Sequence, residues 1–165
     1  MSVTIRILCS FSLLLLISCA TTDSSNSSVY GDQRAYQNSS STANYKYDVW
    51  RLNEGVDLEV INGLLDEADV LINEKKFNAA TDKLERVLRI KPAYAPAWSR
   101  LSWLALQTNS AQRSVQLAKR SNSFAYDNPE LQILNWTFIR TASQMLHDED
   151  SFERAVLKIE SLKAF

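Results

Sequence analysis

From Ile61 to Leu162 the apolar residues return every three or four positions, in six bursts separated by short connections. A chain patterned this way presents one apolar stripe per helix and no alternating run for a sheet, so its stable form is helix packed on helix. The first burst is Ile61, Leu64, Leu65, Ala68, Leu71 and Ile72. The second is Phe77, Ala80, Leu84, Val87 and Leu88, stopped at Lys91-Pro92 because proline cannot continue the hydrogen-bond ladder. The third holds Trp98, Leu101, Leu104 and Ala105 and runs out at Thr108-Asn109-Ser110, residues that favour a turn. Ala111, Val115, Leu117, Ala118 and Phe124 make the fourth. Asn128 before Pro129 reads as a helix cap with proline in the first turn, opening a fifth burst of Leu131, Leu134, Phe138, Ala142 and Met145. After His147-Asp148-Glu149-Asp150 the sixth uses Phe152, Ala155, Val156, Ile159 and Leu162.

Short connections force neighbouring helices antiparallel, so the expected fold is all-α, with three helical hairpins between residues 51 and 165. The hairpins also look alike. Leu64, Trp98 and Leu131 sit near the start of each, 34 and then 33 residues apart. Ala68, Phe77, Ala80, Leu84 and Pro92 in the first hairpin, and Trp98, Leu101, Ser102, Ala111, Ser114 and Ala118 in the second, place large and small residues as the tetratricopeptide repeat family does. The chain resembles that family. The resemblance implies a short solenoid of about six helices whose first helix per hairpin lines a concave groove. The third hairpin departs, its first helix being longer by roughly two turns before Phe152 and Ala155 resume the pattern, as in a capping hairpin.

The N-terminus reads differently. Arg6, an apolar stretch from Ile7 to Ile17, and then Ser18-Cys19-Ala20 form the three parts of a secretory signal, 1–18. The stretch is shorter than the roughly 20 residues a membrane-spanning helix needs. Leu16-Ile17-Ser18-Cys19 resembles the lipobox, which implies that Cys19 is acylated and becomes the mature N-terminus. Ala20 in place of Asp after the cysteine implies sorting to the outer membrane, facing the periplasm. With Cys9 removed, the mature chain has no disulfide. Residues 19–50 are rich in Ser, Thr and Asn and poor in aliphatic residues, the composition of a lipid-anchored disordered linker; Tyr30, Tyr36, Tyr45 and Tyr47 read as decoration of it. Roughly 30 such residues span about 30 Å as a coil and up to about 100 Å when pulled straight.

Chemistry is sparse. Three glycines, Gly31, Gly55 and Gly63, cannot build a phosphate-binding loop. His147 is the only histidine and has no cysteine or second histidine to complete a metal site, so neither metal nor cofactor is expected, and no catalytic residues are assigned. Charge placement says more. Between Glu85 and Asp127 there is no acid, while Arg86, Arg89, Lys91, Arg100, Arg113, Lys119 and Arg120 all fall there. A basic central hairpin between acidic flanks steers an acidic protein surface; nucleic acid does not fit the compartment. The groove offers a second surface. Trp103 and Trp136 occupy equivalent places on its lining, with Ser99, Arg100, Gln107, Gln132 and Arg140 beside them to supply hydrogen bonds, unless the two indoles pack as core.

Ala118-Lys119-Arg120-Ser121-Asn122-Ser123 and Asn135-Trp136-Thr137-Phe138-Ile139 resemble the small LpoP-like lipoproteins of gamma-proteobacteria. That resemblance implies an adaptor, not an enzyme, which reaches across the periplasm, binds a class A penicillin-binding protein and raises its peptidoglycan synthesis. An assembly factor or pilotin-like scaffold for an outer-membrane, pilus or secretion machine fits the same layout.

Overall fold

The computed structural model describes residues 47–164, so the signal, Cys19 and most of the expected linker lie outside the described residues. Among those described there are six α-helices and no strand: α1 Leu58–Asn73, α2 Phe77–Ile90, α3 Ala95–Gln107, α4 Ala111–Asn122, α5 Pro129–Leu146 and α6 Glu149–Lys163. Three of the six starts have a visible local cause. Pro96 falls in the first turn of α3, where its missing N–H has no ladder partner to lose. Asn128 caps α5, its side-chain oxygen accepting from the Leu131 N–H at 2.9 Å, and Asp148 caps α6 by accepting from the Ser151 N–H at 3.0 Å.

The turns inside the three hairpins are built alike. Lys75, Asn109 and His147 all take the left-handed conformation, with φ of 58°, 55° and 54°. In each the next residue's N–H reaches back five residues, Lys76 to Leu71, Ser110 to Ala105 and Asp148 to Ser143, at 2.8, 2.7 and 2.9 Å. This closing motif usually takes glycine at the left-handed position, because a Cβ there costs roughly 1–2 kcal/mol. None of the three is glycine, which hides the repeat from a search for helix-stop residues.

Packing follows the stripes. The helices of each hairpin lie against one another, α2 against α3 and α4 against α5 join the hairpins, and α3 touches α5 directly. One core cluster is built from Ile61, Leu64, Leu65, Ala68, Ala80, Leu84, Val87 and Leu101; a second from Ala118, Leu131, Leu134, Phe138, Ile139 and Ala155. The contact between α3 and α4 is made by small groups. Ser102 donates to the Ser114 carbonyl and shares a second hydrogen bond with its hydroxyl, both at 2.9 Å, and both side chains are fully buried. With both side chains fully buried, a larger residue at either position overpacks the contact, at about 1–3 kcal/mol.

The packed structure begins earlier than the boundary expected at residue 51. Tyr47–Trp50 form a single turn of 3-10 helix, and Tyr47 is 7% exposed within the second core cluster. Composition places these residues in the linker. Their aromatic rings, set against a polar stretch, are the signal for the opposite assignment, since burying a ring offsets the ordering of about one or two residues and the hydrogen bonds and ion pairs of the segment add to it.

Candidate interaction site

Residues 47–52 form a strap across the first helices of the hairpins. The Tyr47 hydroxyl and Ser99 Oγ on α3 share a hydrogen bond at 3.0 Å, and the Arg100 guanidinium lies 4.6 Å from the Tyr47 ring centroid. Trp50 meets Tyr47 edge-on at 5.5 Å, and its carbonyl accepts from the Tyr94 hydroxyl at 2.7 Å. Arg51 is the fastener to α1: it pairs with Asp66 and Asp69, both at 2.8 Å, and donates to the Asn62 carbonyl at 3.3 Å. Asn62 in turn donates to the Leu52 carbonyl at 3.1 Å.

Arg100 and Asp69 form the polar centre beneath the strap. Arg100 is 2% exposed, donates to Asp69 at 3.2 Å, and its Nε and Nη1 find no partner among the described residues. Burial lowers the Arg100 pKa more than the neighbouring Asp69 raises it. Burial likewise pushes the Asp69 carboxyl above its usual range, outweighing the pull of Arg100 and Arg51.

The residues expected at a partner surface divide into several groups. Cys19 lies outside the described residues. Ser99 and Arg100 are not groove contacts open to a partner: both are buried, and the strap occupies their side chains. Trp103 is half-buried, packs against both core clusters and meets Phe77 edge-on at 6.0 Å, so much of the indole is packing. Trp136 is half-buried against the second cluster. Gln132 donates to the Ala125 carbonyl at 2.6 Å, which holds the turn between α4 and α5. Gln107 is exposed, and Arg140 is half-buried with no ion pair among the described residues. Arg113 is exposed and pairs with Glu85 at 3.3 Å beside a hollow of about 280 Å³ lined by Asn78, Thr81, Asp82 and Thr108. Arg120 is exposed against two aromatic rings, Phe124 at 4.6 Å and Trp98 at 5.7 Å.

The basic stretch, from the end of α2 to the end of α4, is at the surface. Arg86, Arg89, Lys91, Arg113, Lys119 and Arg120 are all exposed, whereas Arg100 is spent inside. Among the described residues no trio of His, Cys, Asp or Glu is placed to hold a metal, and no helix is long and apolar enough to cross a membrane.

Fold and surface together define an all-α domain of stacked helical hairpins, strapped along one side and presenting a basic, aromatic-edged central hairpin. Among solved structures, the globular C-terminal domain of P. aeruginosa LpoP is similar to it. The match has a TM-score of 0.56 and 28% sequence identity, and covers 62% of this chain and 94% of that one. No protein-family model matches the chain, and no curated protein matches its sequence.

Proposed function

We propose that this chain is a lipid-anchored adaptor of the outer membrane, facing the periplasm, that binds a class A penicillin-binding protein and activates it through a tetratricopeptide-like domain. The observation that carries the reading is the likeness to the LpoP domain over 94% of that chain's length. The lipobox-like Leu16-Ile17-Ser18-Cys19 and the Ser/Thr/Asn-rich stretch behind it support the anchor and the reach.

The two stretches that carry the sequence resemblance meet inside the domain. Asn135 is fully buried and donates to Ser121 Oγ and to Asn122 Oδ1, both at 2.8 Å, and Ser121 donates to the Ala95 carbonyl at 2.8 Å. This network ties α3, α4 and α5 together, so Ser121, Asn122 and Asn135 serve the fold. Lys119 and Arg120 are the charged members of these stretches, and both are exposed.

An adaptor of this kind acts by differential affinity. It raises the synthase's rate only as far as it binds the active conformation more tightly than the resting one, about 1.4 kcal/mol for each tenfold shift in that equilibrium. The test is co-purification with class A penicillin-binding proteins from membranes of the same bacterium, followed by a glycan-polymerisation assay with the soluble domain. Binding with stimulation supports the proposal; neither one occurring refutes it. In cells, Cys19→Ser abolishes function on this reading while leaving the isolated domain able to bind.

A further inference from the structure

We infer that Arg120 is the anion-receiving centre of the partner interface, held between Trp98 and Phe124 so that its guanidinium edge takes a carboxylate from an acidic segment of the partner protein. The inference rests on the adaptor reading and gives it a location. Arg120 stands near the end of α4, is exposed, and forms no ion pair among the described residues. Its guanidinium carbon is 4.6 Å from the Phe124 ring centroid and 5.7 Å from that of Trp98. A guanidinium seated on ring faces directs its N–H donors outward in its own plane, the fork that matches a carboxylate with two parallel hydrogen bonds.

The seat is itself fixed. The Trp98 indole N–H donates to the Pro92 carbonyl at 2.8 Å, and Trp98 packs against the first core cluster. Phe124 sits in the turn after α4, where its N–H bonds the Ser121 carbonyl at 3.0 Å, and its ring packs against the second cluster. Side-chain freedom that a solvated arginine gives up on binding is therefore already restricted. The local sequence favours an anion: from Arg86 to Tyr126 it has no acid, and Arg89, Lys91 and Lys119 are exposed, although the charge of Asp148 reaches Lys119. Arg113, by contrast, is already paired with Glu85.

Two arms test this. In the first, the soluble domain is titrated with a purified class A penicillin-binding protein of the same bacterium. Arg120→Gln weakens binding about ten- to a hundredfold, the range for a charge-assisted hydrogen bond that is lost. Phe124→Leu keeps the charge but removes a ring face and weakens binding several-fold, and thermal melts confirm that both variants fold. Wild-type affinity in a folded Arg120→Gln overturns the assignment. The second arm follows the Arg120 Nε–H resonance by NMR while hexaglutamate is added at low salt. A saturable shift of this resonance that added salt suppresses, with a parallel shift of the neighbouring Trp98 indole N–H that Arg120→Gln eliminates, supports the site; no shift overturns it. If hexaglutamate shifts Arg120 while no penicillin-binding protein binds, the anion site stands and the adaptor reading falls.

Discussion

Replacing Tyr47 with alanine tests whether the strap belongs to the fold. The ring is buried in the second core cluster, and its hydroxyl meets the fully buried Ser99 Oγ at 3.0 Å. Returning a side chain of this size to water forfeits about 2–3 kcal/mol of apolar burial. The Arg100 guanidinium, 4.6 Å from the ring centroid, loses about a further 1 kcal/mol of cation–ring attraction, partly offset because water then reaches the charge. The expected loss is about 3 kcal/mol, or about 10 °C in melting temperature for a domain of this length.

The strap also sets a ceiling. It is one short segment at the edge of the packed structure, so a variant that undocks it cannot cost more than removing it altogether. Circular-dichroism melts of a soluble chain beginning at Ala20, its Tyr47→Ala variant and a form beginning at Asn53 should therefore rank in that order of stability. A Tyr47→Ala protein that melts within about 2 °C of wild type would show that the strap is not docked in solution. A truncated form more stable than Tyr47→Ala would show that the substitution acts by damage elsewhere.

Lys75→Gly and His147→Gly remove a Cβ from left-handed turns at exposed positions, and each should raise stability by about 0.5–1 kcal/mol in urea melts; Asn109→Gly should gain less, because asparagine tolerates that conformation. Asn135→Ala breaks one buried and one partly buried hydrogen bond joining α5 to α4 and should cost about 2 kcal/mol by the same measurement, with α5 amides exchanging faster. The Asp69 carboxyl is held above its usual range by burial, so the folded state takes up this proton before the unfolded state does. Its stabilising contribution is complete below the unfolded pKa of about 4 and is lost as pH rises through the higher folded value. The stability of wild type minus that of Asp69→Asn should therefore rise as pH falls from 7 to about 4, and a falling difference would mean that the two guanidiniums outweigh burial. The exposed Glu67 and Asp148, both pulled below their usual range by hydrogen bonds, have the opposite sign and are present in both proteins, so the difference isolates Asp69.

The helices were legible because their stripes are complete: Ile61, Leu64, Leu65 and Ala68 are all buried on α1, and Ala80, Leu84, Val87 and Leu88 on α2. On α4 the fit is looser. The buried face is Ala111, Ser114, Ala118 and Ser121, while the larger Val115 and Leu117 are only half-buried. A stripe of small polar residues carries little hydrophobic signal, and what places it inside is the close approach of α3, a property of the pair of helices. The site was less legible for a related reason. Helical spacing puts Ser99 and Arg100 beside Trp103, but spacing along one helix cannot show that a segment about fifty residues earlier lies over them. Nothing in the sequence around Asp69 marks it, yet it is the anchor that fixes both Arg51 and Arg100.

The strap changes where partner recognition is to be sought. Tyr47 contacts Ser99 and Arg100 on α3 and shares a cluster with Leu131, Leu134 and Phe138 of α5, while Arg51 holds α1. The chain thus fills part of the side that the first helices of its own hairpins share. A peptide entering there must displace a buried tyrosine and the two ion pairs by which Arg51 holds α1, to Asp66 and Asp69; the pair to Asp48 lies within the strap and moves with it. Displacing the ring alone costs about as much as a micromolar ligand gains from several good contacts. The outer surface around α4 carries no such cost, since Lys119 and Arg120 already face water and the rings beside Arg120 are already fixed. If the strap were the regulated element instead, deleting residues 47–52 would tighten partner binding; with recognition at Arg120, the same deletion lowers stability and leaves affinity unchanged.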